Sequence, residues 1–339
     1  MRATGFRSFS MMIGIFGIFA AGLSSGWYAS KASQPPQTDV IRRTEKSAGY
    51  KFINPLLGSD TLGNPNYPEF STLEKDIGKV INVAAESQGA PVQLVSVYAR
   101  NLRSGHWMGI NEDEKFAPAS MLKVLIMIGY FRAAESDPAI FDTKLYYDGK
   151  QDQNVSETYR PTVDLTVGEH TTNELLERMI TLSGNNSAEL LKANLDPKIL
   201  EHLNEDFGLP VPDRSDQIDF MSAKSYSFVF RVLYNSTYLT RTSSEHALEL
   251  LSRTNFQNGL VAGVPEGTIV SHKFGERSVF YSNGELNFRE LHDCGIVYYP
   301  NDPYLLCVMT KGKQFPDLER IITDISRTVY RDYPAVIGH

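Results

Sequence analysis

Apolar residues recur at Ile77, Val80, Ile81 and Ala84 between Leu73 and Glu86. This spacing predicts an amphipathic helix. Val92 to Tyr98 and Trp107 to Ile110 follow as strand-like runs. From Met121 to Ile128 the chain is apolar except for Lys123, and a helix apolar on every side is a buried helix. Pro118 stands just ahead of it, where a proline fits a first turn. Thr171-Thr172-Asn173-Glu174 opens another helix with a capping side chain and an acidic first turn. Its apolar stripe is Leu175, Leu176, Met179 and Ile180. Ser183 to Ser187 interrupts it, and Ala188 to Leu191 resumes a helix. Thr268 to Gly275 reads as a strand ending at its glycine. Leu291 to Tyr299 and Tyr304 to Thr310 are further strands, joined by a turn at Asn301-Asp302. Pro316-Asp317 caps a last helix through Ile321, Ile322, Ile325 and Val329. The order predicts an α/β (α+β) sandwich. An antiparallel sheet is flanked by N- and C-terminal helices, with an inserted all-helical lobe over about 120–220 and a cleft between the lobes.

The first residues follow a different pattern. Ser8 to Ser30 holds no charged residue, Met11 to Gly22 is nearly all apolar, and Arg2 and Arg7 precede it. A run of this length spans about 30 Å of hydrocarbon as a helix, and the flanking charge places the remainder outside. Residues 1–33 are therefore expected to be a membrane anchor. The alternative is a signal peptide cleaved near Ser30-Lys31-Ala32. Residues 34–70, rich in Pro, Gln, Ser, Gly and Asn, read as a linker, and 71–335 as the folded domain. The expected location is a bacterial cell membrane with the domain extracytoplasmic, or secretion if the segment is removed.

Composition narrows the functions. The 339-residue chain carries a formal net charge of -7, which argues against a nucleic-acid partner. The seven histidines are dispersed and show no metal-ligand spacing, so neither a metal nor a cofactor is expected, and His272 reads as structural. Cys294 and Cys307 lie on neighbouring predicted strands. A disulfide is conceivable in an oxidising compartment, but the hairpin reading sets them diagonally, and two small buried residues are favoured. A monomer is expected.

Three motifs carry the chemistry: Ser120-Met121-Leu122-Lys123, Ser183-Gly184-Asn185 and Lys273-Phe274-Gly275. Ser120 and Lys123, three apart on a helix, share one face. A lysine in apolar surroundings is disfavoured as a cation, and a neutral amine beside a hydroxyl can activate it as a nucleophile. Backbone N–H groups at the helix start can hold a developing oxyanion. Each motif has a plainer reading: a snorkelling lysine, a polar helix connection and an edge-strand charge. All three in one order weigh against that.

In this order the motifs resemble the penicillin-recognising serine hydrolases, nearest the class A β-lactamases, over about Leu73 to Tyr330. Phe116-Ala117-Pro118-Ala119, Val264-Pro265 and Asp293 to Tyr298 support the likeness. The resemblance implies that Ser120 is the acylated nucleophile, Lys123 its base partner and Ser183 a proton relay. It implies that Asn185, Lys273, Gly275 and Glu276 serve substrate binding. Asn185 would contact a substrate amide, Lys273 would face a substrate carboxylate, and the N–H groups of Ser120 and Glu276 would form the oxyanion hole. The implied substrates are β-lactams or D-alanyl peptides of the cell wall.

The chain departs from the class A pattern in three places. Gly184 replaces an aspartate. Phe274 replaces a hydroxyl residue that would bond the substrate carboxylate. After Asn185, no glutamate stands in the setting of the class A deacylation base. Glu189 and Glu201 read as helix-surface charges, and Leu209 to Asp213 as a short, proline-stiffened loop. Acylation is therefore expected, with slow deacylation. Asp213, Asp216 and Asp219 are candidate replacement bases. A non-catalytic cell-wall or penicillin-binding module and a serine esterase on other acyl groups stand as alternatives.

Overall fold

The computed structural model describes residues 51–53, 67–86, 92–155, 157–161, 165–212 and 218–337. The expected anchor over 1–33 lies outside them. Among the described residues, no helix is long and apolar enough to cross a membrane.

A five-stranded antiparallel sheet is the frame, built from β1 (Leu94–Asn101), β2 (Trp107–Ile110), β5 (Val270–Phe280), β6 (Leu286–Val297) and β7 (Tyr304–Gly312). Its strand order is β2-β1-β7-β6-β5, which leaves β5 as an edge. The strands alternate cleanly. Leu306, Val308, Val95 and Val97 enter one core, while Leu305, Cys307, Met309 and Tyr98 enter another. Both faces are covered, so β7 reads as a continuous apolar run instead of an alternating one. The first core lies under α1 (Ser71–Ala85) and α8 (Phe315–Ile337), through Leu73, Ile77, Ile321, Ile322, Ile325 and Val329.

The second core is shared with the inserted lobe. Its centre is α2 (Lys123–Ala134), buried from Lys123 through Phe131, as an all-apolar helix requires. Around it stand α3 (Thr172–Thr181), α4 (Asn185–Asn194), α5 (Pro197–Asp206), α6 (Ala223–Asn235) and α7 (Arg241–Ser252). Thr171 and Glu174 close a reciprocal capping box on α3. The lobe expected to be all helical also holds a two-stranded sheet, β3 (Lys144–Tyr147) with β4 (Gly168–Thr171). At the other end of the domain, the α7 carboxylate of Glu245 accepts the N–H groups of Lys51, Phe52 and Ile53 at 2.6, 2.9 and 3.0 Å.

Two expectations are corrected. Strand β5 does not end at Gly275 but keeps its register with β6 as far as Phe280. Cys294 and Cys307 are not diagonal: Val297 pairs with Tyr304, the turn spans Tyr298 to Pro303, and Cys294 falls directly opposite Cys307. They form a disulfide, with Cα atoms 4.0 Å apart.

Candidate active site

Ser120 sits in a single 3-10 turn, Ala119–Leu122, immediately ahead of α2. Ala119 has φ +48°, a left-handed conformation that costs an L-residue about 1–2 kcal/mol. The surroundings hold it there. Tyr226 donates its hydroxyl to Met121 O at 2.7 Å. His292 Nε2 donates to Ala117 O at 3.1 Å, while its Nδ1 accepts from Thr310 N at 3.2 Å. These two bonds define one neutral tautomer, and burial pushes the His292 pKa down to about 3. Gly275 completes the fit. A Cβ there would stand 2.7 Å from Pro118 O and 3.1 Å from Met121 Cγ. The glycine therefore lets edge strand β5 lie against the Ser120 turn, which explains its presence inside a strand.

Lys123 is buried. Its Nζ donates to Ser183 O at 2.6 Å, to Ser183 Oγ at 3.3 Å and to Asn185 Oδ1 at 2.5 Å. Desolvation lowers its pKa from 10.5 to about 8, against the opposing pull of Glu157, Glu189 and Glu276. Lys273 is wholly buried and donates to the same Ser183 Oγ at 2.9 Å. Burial first, and then Lys123, push its pKa well below the usual lysine range. Ser183, at φ +56°, thus places one hydroxyl between two amines. When one amine is neutral, the hydroxyl can donate to it while accepting from the other. Lys123, Ser183, Asn185 and Lys273 are brought together as the motifs predicted.

A cavity of about 490 Å³ opens in front of them, with Ser120, Lys123, Asn185 and Glu276 on its wall. Ser183 and Lys273 stand behind it. The far end is apolar, walled by Leu125, Ile126, Leu200, Pro210, Val211 and Phe220. Glu189, exposed as expected, is also on the wall.

Two carboxyl roles were not legible in the motifs. Glu276 was expected to act through its backbone. Its side chain is buried, and its carboxylate accepts from Thr158 N at 2.9 and 3.0 Å and from Tyr159 N at 2.7 Å. Burial and a hydrogen bond shared with Glu157 outweigh these donors and raise its pKa to about 7. Glu157 also accepts from Asn185 Nδ2 at 3.0 Å and lines the cavity. Its loop is tied to the second motif: Asn154 Oδ1 accepts from Asn185 N, and Asn186 Oδ1 accepts from Gln153 N. The run Asp152-Gln153-Asn154 is rich in turn formers that hydrogen-bond backbone, the one local hint that this loop is ordered.

Phe274 is buried in an aromatic group. It stacks on Phe256 at 4.3 Å between centroids and meets Tyr159 edge-on at 5.7 Å. Lys273 Nζ lies 4.2 Å over the Phe274 ring and donates to Phe274 O. Asp219, a candidate base, is instead paired with Arg277 at 2.7 Å and Lys311 at 3.5 Å. Asp213 and Asp216 lie outside the described residues. His272 is paired with Asp293 at 2.8 Å, and both are buried.

A sequence model of the β-lactamase enzyme family matches residues 72–333. No curated protein matches the chain. Among solved structures, PBP-A is similar at 19% identity and a TM-score of 0.63, over 84% of this chain and 98% of that one. The TLA-3 extended-spectrum β-lactamase is similar at 18% identity and TM-score 0.65, over 78% and 98% of the two chains. A β-lactamase from Chitinophaga pinensis is similar at 16% identity and TM-score 0.65, over 78% and 100%. A PBP-A variant with 20% identity and TM-score 0.63, covering 77% and 97%, was solved as an acyl-enzyme with penicillin G. At these identities the structural likeness establishes the fold.

Proposed function

Since the chain belongs to the β-lactamase enzyme family, and is by that membership a serine hydrolase, we propose that it forms an acyl-enzyme on Ser120 with β-lactams or D-alanyl peptides of the cell wall. The observation that carries this is the convergence of Lys123 and Lys273 on Ser183 Oγ behind the cavity that Ser120 lines. In this reading the neutral Lys123 amine takes the Ser120 proton, and the Ser120 oxygen attacks the carbonyl. The N–H groups of Ser120 and Glu276 receive the oxyanion. As the acyl–leaving-group bond breaks, the Ser183 hydroxyl protonates the leaving group and is itself reprotonated from Lys123.

Deacylation is slow in this proposal. Among the described residues, the connection between α5 and α6 brings only Pro210, Val211, Pro212, Phe220 and Met221 to the cavity. Of the carboxyl groups on the wall, Glu157 is bonded to Asn185, Glu276 is held by the N–H groups of Thr158 and Tyr159, and Glu189 is an exposed charge on α4. A burst of one product equivalent is expected before a slow steady state. The domain is proposed to act outside the cell, tethered or released by residues 1–33. The buried Cys294–Cys307 bond supports this, because disulfides persist in oxidising compartments.

The test is intact-mass spectrometry after incubation with excess penicillin and, separately, with an uncharged acyl thioester. One acyl adduct mapped to Ser120, and absent from Ser120→Ala, is expected. An adduct that survives Ser120→Ala, or no adduct from either reagent, would overturn the proposal.

A further inference from the structure

We propose that the apolar end of the cavity is an acyl-side specificity pocket. It favours acyl donors whose acyl half carries a large apolar group, an alkyl chain or an aryl ring. The inference rests on the acyl-enzyme reading above and names the acyl halves that satisfy it best. The group lies on the acyl side of the scissile carbonyl, so β-lactams and peptides are both open to this choice.

Two observations carry it. The first is the direction in which the cavity runs. Helix α4 starts at Asn185, beside Ser183, and gives the cavity Asn185, Ala188, Glu189 and Lys192. That spacing is one helix face, and seven residues of helix extend about 10 Å. Leu122, just before α2, shares a second face with Leu125 and Ile126, while Leu200 and Asn204 of α5 form a third. The cavity therefore leads from Ser120 away from Ser183. A leaving group must meet the Ser183 hydroxyl, so the acyl half takes the other direction, into the helical lobe.

The second observation is the split between polar and apolar walls. Near Ser120 the polar groups bond one another: Lys123 donates to Asn185, and Asn185 donates to Gln153 O and to Glu157. Beyond them Leu200, Pro210 and Phe220 are only half-buried and Val211 is 58% exposed, although all four line the cavity. Apolar surface left facing a cleft gains by being covered. The wall is also built in advance. Phe220 N and Met221 N donate to Phe116 O at 3.2 Å, Met221 O accepts from Phe116 N at 2.9 Å, and Asp219 is held by Arg277 and Lys311. Glu189 and Lys192 are exposed at the rim, where the end of a long chain would meet water. A mostly apolar cleft of about 490 Å³, with its polar groups gathered at one end, has the build of a small-molecule site.

The test uses two thioesters with the same uncharged leaving thiol, one N-acetylglycyl and one N-octanoylglycyl. Second-order rates of Ser120 acylation are timed by mass spectrometry in the full chain, in Leu200→Trp, which fills the far end, and in Val211→Asp, which places a charge there. Thermal unfolding checks that each variant folds. A buried methylene is worth about fourfold, so burying about two of those that distinguish the donors should make the octanoyl donor about tenfold faster or more in the wild type. The ratio should fall to about threefold or less in either variant, where that burial is lost. Val211 is exposed, so its replacement decides the matter if Leu200→Trp does not fold. A wild-type ratio near one, or an unchanged ratio in folded variants, would overturn the pocket. Acylation by neither donor would instead remove the acyl-enzyme reading on which it rests.

Discussion

If Ser120 is acylated as proposed, the protonation of Lys123 should set the rate, and this can be tested quantitatively. At its ordinary pKa of 10.5, the side chain would be neutral in about 0.03% of molecules at pH 7. At about 8, where burial places it, the neutral fraction is about 9%. Burial thus supplies about 300-fold more of the reactive form, equivalent to roughly 3 kcal/mol. The sign follows directly. The acylation rate should rise about tenfold per pH unit below 8 and level off above it. Lys123→Arg, which cannot deprotonate, should lose the dependence together with most of the rate. Glu157 is the largest of the three carboxylates that favour the ammonium form. Glu157→Gln should therefore shift the profile to lower pH. The assay is the single-turnover acylation rate from pH 5.5 to 9.5, with an uncharged thioester so that substrate ionisation plays no part. A profile flat between pH 6 and 9, or one displaced to higher pH by Glu157→Gln, would refute a neutral Lys123 base.

Three further predictions follow from packing. Gly275→Ala forces a Cβ to within 2.7 Å of Pro118 O; overpacking of this kind costs about 1–3 kcal/mol, and a displaced β5 should slow acylation by about 10²-fold, read by thermal unfolding and by the burst rate. Replacing Cys294 and Cys307 together by alanine opens a link across 13 residues, so urea unfolding should show a loss of about 3 kcal/mol. His292 is held neutral with its folded pKa at about 3 against 6.5 when free. The unfolded chain therefore takes the proton first, and stability present above pH 6.5 should fall by about 1.4 kcal/mol per unit towards pH 3. His292→Gln should show a shallower decline in urea titrations over that range.

Much of this architecture could be read from the chain because burial writes a simple pattern. Strands covered on both faces read as unbroken apolar runs, as in Tyr304 to Met309. A helix apolar all round, as in Met121 to Ile128, has only the centre of a lobe to occupy. The convergence of Ser120, both lysines and the Ser183 loop on one cleft was legible for a related reason, since each motif is short and locally rigid. What escaped depends on contacts between distant segments. The disulfide turned on where the β6–β7 turn closes, and the diagonal reading set Cys294 and Cys307 out of register. Gly275 looked like a strand end because its reason lies on another element, the carbonyl of Pro118. Glu157 carries no motif. It matters through tertiary contacts: its carboxylate accepts from Asn185, and the neighbouring N–H groups of Thr158 and Tyr159 bond Glu276.

Glu276 bears on the site through Lys123. Its negative charge favours the ammonium form of that lysine, and it is itself ionised mainly above its raised pKa of about 7. Glu276→Gln should therefore leave more neutral Lys123 at pH 7.5 and speed acylation there, with no gain at pH 9, where Lys123 is already neutral. Single-turnover acylation by the uncharged thioester at the two pH values checks this. Equal acceleration at both would show that Glu276 does not act through the protonation of Lys123.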